Sequence, residues 1–161
     1  MRKILINKSI VLIFTILLFS CDGMTGIVMD IPPVSPGETP PFVITRPVSE
    51  IIERPFHFKF AGITFKFLNQ TETIVDRITV SFLLFDQRTQ NNPFTGSNKF
   101  EISKRDTVFP NESKEIIISL DSFIHIAPTE PYLIDSFFIY EVHYDDGSIW
   151  QDKHGKFRVR D

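Results

Sequence analysis

The stretch of sequence that decides the fold covers residues 76–86 and reads DRITVSFLLFD. Every second position is strongly apolar, namely Ile78, Val80, Phe82 and Leu84. Because successive side chains of a β-strand point to opposite faces, this spacing predicts a strand with one face buried in a core. The opposite face starts with Thr79 and Ser81 and becomes apolar at Leu83 and Phe85. We therefore expect the last part of this strand to be covered on both faces.

The segment before this strand, residues 56–69 (FHFKFAGITFKFLN), has the same period of two but changes phase. The first apolar set is Phe56, Phe58 and Phe60, and the second is Ile63, Phe65 and Phe67. A slip of one residue turns every side chain to the other face of a sheet. We therefore predict one strand with a bulge or bend at Gly62, where a missing side chain allows it.

The chain after residue 86 alternates between short apolar stretches and turn-forming residues. We predict turns at 69–73 and 110–111, loops at 87–98 and 127–131, and strands within 100–104, 115–120, 132–153 and 155–160. Asp145-Asp146-Gly147 between two apolar stretches indicates a hairpin with a primed turn, which requires a positive φ at Gly147. Six to eight short strands without a convincing helix predict an all-β antiparallel sandwich over residues 56–161.

Residues 61–150 resemble small bacterial immunoglobulin-like domains. The resemblance consists of an Asn-containing turn after one strand (Asn69), a Pro-containing turn before a middle strand (Pro110) and a Tyr-Asp-Gly-Trp hairpin that ends at Trp150. It implies an immunoglobulin-like β-sandwich. Such domains have no common activity, so the resemblance implies a fold and not a function.

The N-terminal residues form three zones that are typical of an export signal. Residues 1–8 contain Arg2, Lys3 and Lys8, and residues 9–19 (SIVLIFTILLF) are almost entirely apolar. A positive segment followed by a short apolar one indicates a secretory signal, which we assign to residues 1–20. A membrane-spanning helix needs about twenty apolar residues, so a transmembrane anchor fits less well.

Residues 18–21 (LFSC) resemble the lipobox of bacterial lipoproteins through Leu18, Ser20 and Cys21, whereas Phe19 is bulkier than the usual residue. The resemblance implies that Cys21 receives diacylglycerol, that the chain is cut before it, and that acyl chains such as palmitate anchor the protein in a membrane. Cys21 is the single cysteine of the chain, so it has no internal disulfide partner. The alternative is a chance cysteine at the end of a signal or anchor helix.

The membrane that would hold this anchor is suggested by the residues beside Cys21. Asp22 resembles the signal that retains lipoproteins in the inner membrane of enteric bacteria. The Phe19 lipobox resembles those of spirochaetes and some Bacteroidetes, which do not follow that rule. We therefore expect a protein of the cell envelope, anchored in the outer membrane, and the sequence leaves open which face it occupies.

Residues 21–55, which begin with Cys21, differ in composition from the rest because they hold seven of the eleven prolines. Proline lacks an amide donor and favours extended polyproline-like chain of about 3.1 Å per residue. We predict a tether that lifts the sandwich from the membrane. The alternative is that residues 42–48 (FVITRPV) pack as an edge strand, and we expect both to be partly true.

Chemically reactive motifs are missing from the sequence. The four histidines have no zinc-ligand spacing, although His143 and His154 flank the last hairpin and could meet across it. The adjacent carboxylates Asp145 and Asp146 are typical of a turn, and with Glu130 or Asp152 they match no calcium loop. We predict neither a metal site nor a cofactor, and no catalytic residue.

Three aromatic residues of the last hairpin, Tyr140, Tyr144 and Trp150, are candidates for partner binding. Tyrosine and tryptophan are favoured at binding surfaces because they are large, rigid and partly polar. They also fill the cores of sandwiches. We favour a core position for Trp150 and leave both interpretations open for the two tyrosines.

The composition narrows the function to three classes. Without residues 1–20 the chain has 14 basic and 20 acidic residues, which argues against nucleic-acid binding. We predict a non-enzymatic envelope lipoprotein whose sandwich binds a protein or glycan partner. A structural surface protein without a dedicated ligand is the alternative, and an envelope enzyme with a scattered site is the least favoured class.

Overall fold

A computed structural model describes residues 39–51, 54 and 56–159. The predicted signal segment, Cys21 and the tether up to residue 38 lie outside the described residues. Among the described residues no helix is long and apolar enough to cross a membrane. The strands are β1 Phe42–Ile44, β2 Val48–Glu50, β3 Gly62–Asn69, β4 Val75–Phe85, β5 Lys99–Val108, β6 Ser113–Ser119, β7 Leu133–Tyr144 and β8 Ile149–Gln151.

These strands form two antiparallel sheets. In the first sheet β3 pairs with β6 on one side and with both β1 and β2 on the other. The second sheet has the order β5-β4-β7-β8. Consecutive strands β3 and β4, β5 and β6, and β6 and β7 lie in different sheets, so the chain crosses repeatedly between the two sheets. The predicted all-β sandwich is confirmed.

The core between the sheets is built mainly from phenylalanine and isoleucine side chains. The inward positions of β4 predicted from the alternation, Ile78, Val80, Phe82 and Leu84, are all buried. Phe65 of β3 meets Phe137 of β7 edge to face at 5.1 Å between ring centroids, and Phe137 in turn stacks on Phe82 at 6.0 Å. Aromatic pairs of this geometry stabilise a fold beyond their buried area, so they bind the two sheets together.

The outer face of β4 differs from the expectation. Thr79 and Ser81 are buried there, whereas Leu83 and Phe85 are only half-buried. β4 lies between β5 and β7, so its middle positions are shielded by neighbours on both sides. The Thr79 hydroxyl lies 2.8 Å from the Ser103 hydroxyl of β5, which satisfies it in this shielded position.

Part of the predicted tether belongs to the sandwich, because β1 and β2 together form one interrupted edge strand. Ile44 pairs with Phe67 and Val48 pairs with Thr64, so three residues of this edge face two of β3. The extra residue makes a bulge next to Pro47, which has no amide to donate. The edge-strand interpretation of residues 42–48 is thus confirmed, and the sandwich starts before residue 56.

The prediction of a strand over residues 56–60 is wrong. Phe56 is fully exposed with φ 72°, and residues 56–60 form a turn and a bend that Asp121 holds by accepting the amides of Lys59 (2.8 Å) and Phe60 (2.9 Å). Of the two alternatives predicted at Gly62, a bulge is not formed, and the chain instead bends at residues 59–60 before β3 starts at Gly62. A Cβ there would lie 2.5 Å from the buried Phe58 ring, so the glycine makes room for that ring.

The predicted last strand over residues 155–160 is not formed among its described residues. Positions 156–157 are in a turn, and Gly155 has φ 64°. The Val159 amide donates to the Phe137 carbonyl at 2.8 Å, so the segment lies beside β7 through a single backbone contact. A Cβ at Gly155 would lie 3.1 Å from the Phe138 ring, so the glycine makes room for that ring.

Candidate functional site

Three connections and the start of β1 meet at one end of the sandwich. These are the β3–β4 loop (residues 70–74), the β5–β6 turn (109–112) and the β7–β8 hairpin turn (145–148). The Asp145 amide donates to the Ile74 carbonyl at 2.9 Å, and the Gln70 amide donates to the Pro41 carbonyl at 3.1 Å. Backbone hydrogen bonds thus join these segments into one surface, which we call the loop end.

Asn69 organises the loop end from a fully buried position. Its side-chain nitrogen donates to the carbonyls of Thr73 (2.8 Å) and Val108 (3.2 Å). Its side-chain oxygen accepts from the amide (3.0 Å) and the hydroxyl (2.7 Å) of Thr71. The amide therefore uses all four of its hydrogen-bonding positions. The sequence indicated only that Asn69 starts a turn, since an Asn after an apolar strand is an ordinary turn residue.

The β5–β6 turn is tied to the same residue through the backbone. The Asn69 amide donates to the Glu112 carbonyl (3.0 Å), and the Asn111 amide donates to the Asn69 carbonyl (2.9 Å). Asn111 has φ 58°, a conformation that asparagine tolerates better than most residues. This turn leaves the side chain of Phe109 56% exposed at the loop end.

The hairpin turn is not the predicted primed turn. Gly147 has φ 85°, as predicted, but the described backbone gives Asp146 no positive φ. The Gly147 amide donates to the Tyr144 carbonyl (3.1 Å), and the Tyr144 amide donates to the Ser148 carbonyl (3.0 Å). These bonds define a three-residue loop whose last residue is left-handed, the second common class of hairpin. The Asp146 carboxylate accepts from the Ser148 hydroxyl and amide, and both bonds lower its pKa.

Trp150 lies in the core beneath the loop end and is 2% exposed. Its ring meets the Phe42 ring edge to face with 4.8 Å between the ring centroids, and the centroid of the Phe157 ring lies 6.1 Å away. Phe42 in turn stacks on Phe67 at 5.1 Å. The core interpretation of Trp150 is confirmed. The indole nitrogen is buried without a hydrogen-bond partner among the described residues, which is a local cost in stability.

Tyr144 adjoins Trp150 and is 9% exposed. Burial, and secondarily the charge of Asp146, raise the pKa of Tyr144 to about 12. The phenol therefore stays neutral at physiological pH, and it can serve in hydrogen bonding but not as a base.

A cavity of about 180 Å³ opens at the loop end beside these two aromatic residues. Its walls are formed by Pro41, Thr71, Thr73, Tyr144, Ser148 and Trp150. Pockets for small organic ligands are usually about 300–1,000 Å³, so this one fits a single small side chain or part of a sugar ring. The walls combine aromatic rings with hydroxyl groups. Thr71, Thr73 and Pro41 were not among the residues predicted from the sequence.

Tyr140 is separated from this cavity. It is the extra residue of a bulge in β7, since Thr79 pairs with Glu141 and Val80 pairs with Ile139. Its side chain is half-buried, and its carbonyl accepts the Asp152 amide at 2.9 Å. Of the three predicted aromatic candidates, the structure thus brings together Tyr144 and Trp150 only.

His143 lies on the outer face of the second sheet and contacts Arg77 and Glu141. The Arg77 guanidinium is 2.9 Å from Nδ1 of His143, and Nε2 contacts the Glu141 carboxylate. The Gln151 amide donates to the same carboxylate at 3.1 Å. His143 is thus a half-buried strand histidine whose partners lie on β4 and on β7 itself rather than at His154. Within residues 39–51, 54 and 56–159 no group of three potential ligands is close enough to hold a metal ion.

Comparison of the chain with protein-family models, with curated proteins and with solved structures finds no match.

Proposed function

We propose that this chain is a lipid-anchored protein of the cell envelope whose β-sandwich binds a protein partner at the loop end. The anchor proposal rests on the LFSC sequence at residues 18–21, which places the single cysteine after a short apolar segment. Three acyl chains on Cys21 would hold the protein durably, because each buried methylene contributes about 0.8 kcal/mol.

The observation that carries the binding proposal is the cavity at the loop end and the rigidity of its rim. Asn69 and the backbone bonds from Asp145 and Gln70 fix the rim in one conformation. A surface ordered before binding loses little conformational entropy when a partner docks, so more of the contact energy appears as affinity. In antibody variable domains, loops at one end of a related sandwich serve the same purpose.

The size and walls of the cavity favour a protein partner over a free small molecule. About 180 Å³ accommodates one apolar side chain of an approaching loop. Phe109 is exposed in the β5–β6 turn at the loop end and adds apolar surface there. Aromatic residues at the centre of a patch commonly supply most of the energy of protein–protein binding.

Binding rather than catalysis is supported by the way the polar groups of the loop end are used. The Asp146 carboxylate is engaged by Ser148, the Asn69 amide is saturated, and Tyr144 is neutral below a pKa of about 12. A catalytic acid or base needs a pKa near the working pH and a position open to the substrate.

The anchor is tested by feeding cells an alkyne-bearing fatty acid and measuring its attachment to the protein. We expect label on the wild-type chain and none on the Cys21→Ala variant. Equal labelling of both would overturn the lipid proposal. Digestion by added protease, before and after disruption of the outer membrane, then separates a surface-exposed protein from one facing the periplasm.

The binding site is tested by filling the cavity with a bulky side chain. Thr73→Trp places an indole at the cavity wall, and Thr95→Trp makes the same change in the exposed loop before β5. From detergent-solubilised membranes, we expect the wild type and Thr95→Trp to recover one stoichiometric partner and Thr73→Trp to lose it. Equal recovery by both variants would exclude the cavity, and recovery of no partner by any form would favour a structural surface protein.

A further inference from the structure

The edge strands of the two sheets differ in how well they are protected against the addition of another strand, and β5 is the least protected. The β1–β2 edge is interrupted by a bulge at Pro47, and β8 has three residues. β5 has ten residues and pairs with β4 alone among the described strands. An unpaired edge of this length offers a row of amide and carbonyl groups to another strand.

The register shows which groups of β5 point outward. The Leu84 amide donates to the Asn98 carbonyl at 3.0 Å, so even-numbered residues of β5 bond to β4. In an antiparallel pair bonded and non-bonded positions alternate, so the amides and carbonyls of Lys99, Glu101, Ser103 and Arg105 point away from β4. These side chains are all exposed on the outer face of the sheet.

Two lysines form hydrogen bonds between β5 and the neighbouring edge strand β6, and these bonds cover the two edges to different extents. Lys104 donates to the Ile117 carbonyl at 2.8 Å and thereby blocks the middle of the β6 edge. Lys114 donates to the Thr107 carbonyl at 2.8 Å, near the end of β5. Lysine at an edge is a common means of preventing strand addition. Here it protects β6 and leaves residues 101–105 of β5 open, whereas the Lys99 amide already donates to the Ser97 hydroxyl at 3.0 Å.

The outward side chains of β5 complement a second copy of the same strand. Glu101 and Arg105 are exposed, and neither forms an ion pair with another described residue. Arg105 instead lies opposite Arg77 of β4, and like charges in this position repel. If two copies of β5 pair antiparallel about Ser103, each Glu101 lies opposite Arg105 of the other copy.

Neighbouring registers lack this complementarity. Moving the two-fold axis by one residue toward the start of β5 sets Lys99 opposite Arg105, and moving it by two residues sets Glu101 opposite Glu101. Moving it one residue the other way sets Arg105 opposite Ser103. Of these four registers, only the one centred on Ser103 sets Glu101 opposite Arg105, and it does so twice.

We propose that two copies of this chain associate by antiparallel pairing of their β5 edges about Ser103, which joins two four-stranded sheets into one. Backbone hydrogen bonds supply the attraction, and the two Glu101–Arg105 pairs fix the register. A single strand pair buries less than the roughly 1,200 Å² of most stable complexes, so the dimer is weak in dilute solution and favoured at high local concentration.

A disulfide across the two-fold axis tests the register. In the full chain with Cys21→Ala, Ser103→Cys introduces one cysteine into each copy. In the proposed dimer the Cα atoms of these two cysteines lie about 5.5 Å apart, which is within disulfide range. Lys99→Cys, on the same edge, places its two thiols about 27 Å apart and is the matched control. In detergent with mild oxidant, we expect dimers from Ser103→Cys and no more than background from Lys99→Cys.

Charge reversal tests the pairing without new cysteines. Glu101→Arg and Arg105→Glu each set like charges opposite twice, so we expect each to weaken dimerisation by about tenfold or more in sedimentation equilibrium of the full chain. The double reversal restores opposite charges and returns the dissociation constant to within about threefold of the wild type. Equal disulfide formation at residues 99 and 103, none at 103, or no recovery in the double reversal would overturn the proposal.

Discussion

Replacing Trp150 measures how much the aromatic plug beneath the loop end stabilises the sandwich. The ring is 2% exposed, and a buried tryptophan removes about 150–250 Å² from water. At about 25 cal/mol per Å², its loss by Trp150→Ala costs about 4–6 kcal/mol. The variant also removes a buried indole N–H that has no partner among the described residues, and the removal of this unsatisfied donor stabilises the fold by about 1–3 kcal/mol. We expect a net destabilisation of about 3 kcal/mol.

The conservative variant separates the two contributions. Trp150→Phe keeps an aromatic ring against Phe42 and removes the unpartnered N–H, so we expect it to cost about 1 kcal/mol or less. Phe42→Ala tests the same contact from β1, and a double-mutant cycle between the two positions should give a coupling of about 0.5–1.5 kcal/mol.

The assay is urea unfolding of the full chain in a non-denaturing detergent, followed by far-ultraviolet circular dichroism. Fluorescence is unsuitable because Trp150 is the only tryptophan. A Trp150→Ala variant whose unfolding free energy lies within about 0.5 kcal/mol of the wild type would refute the core position of this ring. Zero coupling to Phe42 would refute the contact between β1 and β8.

Three further predictions use the same unfolding assay. Gly147→Ala should cost about 1 kcal/mol because φ is 85°, whereas Gly96→Ala, with open space around its Cβ position, should cost almost nothing. Gly62→Ala should destabilise by about 1–3 kcal/mol because its Cβ meets the Phe58 ring, and the cost should fall sharply in a Phe58→Ala background. Because the pKa of Tyr144 is raised from 10.0 to about 12, stability should be lost as the pH rises through this window. At about pH 11 the loss relative to Tyr144→Phe should be about 1 kcal/mol, and equal pH dependence of both proteins would contradict it.

Side-chain alternation was sufficient to predict the strands whose two faces differ. The pattern of Ile78, Val80, Phe82 and Leu84 gave β4, and that of Ile63, Phe65 and Phe67 gave β3, because every second side chain must enter the core. The Asp-Gly pair also placed the last hairpin and the positive φ of Gly147. These features depend on residues close together in the sequence, so local chemistry is enough to predict them.

Alternation failed where distant residues decide the conformation. The spacing of Phe56, Phe58 and Phe60 is that of a strand. However, the carboxylate of Asp121, 61 residues away from Phe60, accepts the backbone amides of Lys59 and Phe60, which in a strand would bond to a neighbouring strand. The Phe58 ring packs against Gly62 where a Cβ would otherwise lie, and only the folded chain reveals that contact. In β7 a bulge at Tyr140 changes the phase, so the inward residues cannot be counted from one end.

The candidate site follows the same division. The sequence by itself determined that Tyr144 and Trp150 flank a hairpin, because an Asp-Gly turn sets their separation. Only the tertiary structure decided that Trp150 is buried against Phe42, that Asn69 holds three segments together, and that a cavity opens beside Thr73. The physical reason is that a turn is fixed by the conformational preferences of adjacent residues, whereas this cavity is the space left where the start of β1, the β3–β4 loop and the last hairpin meet, which no single segment encodes.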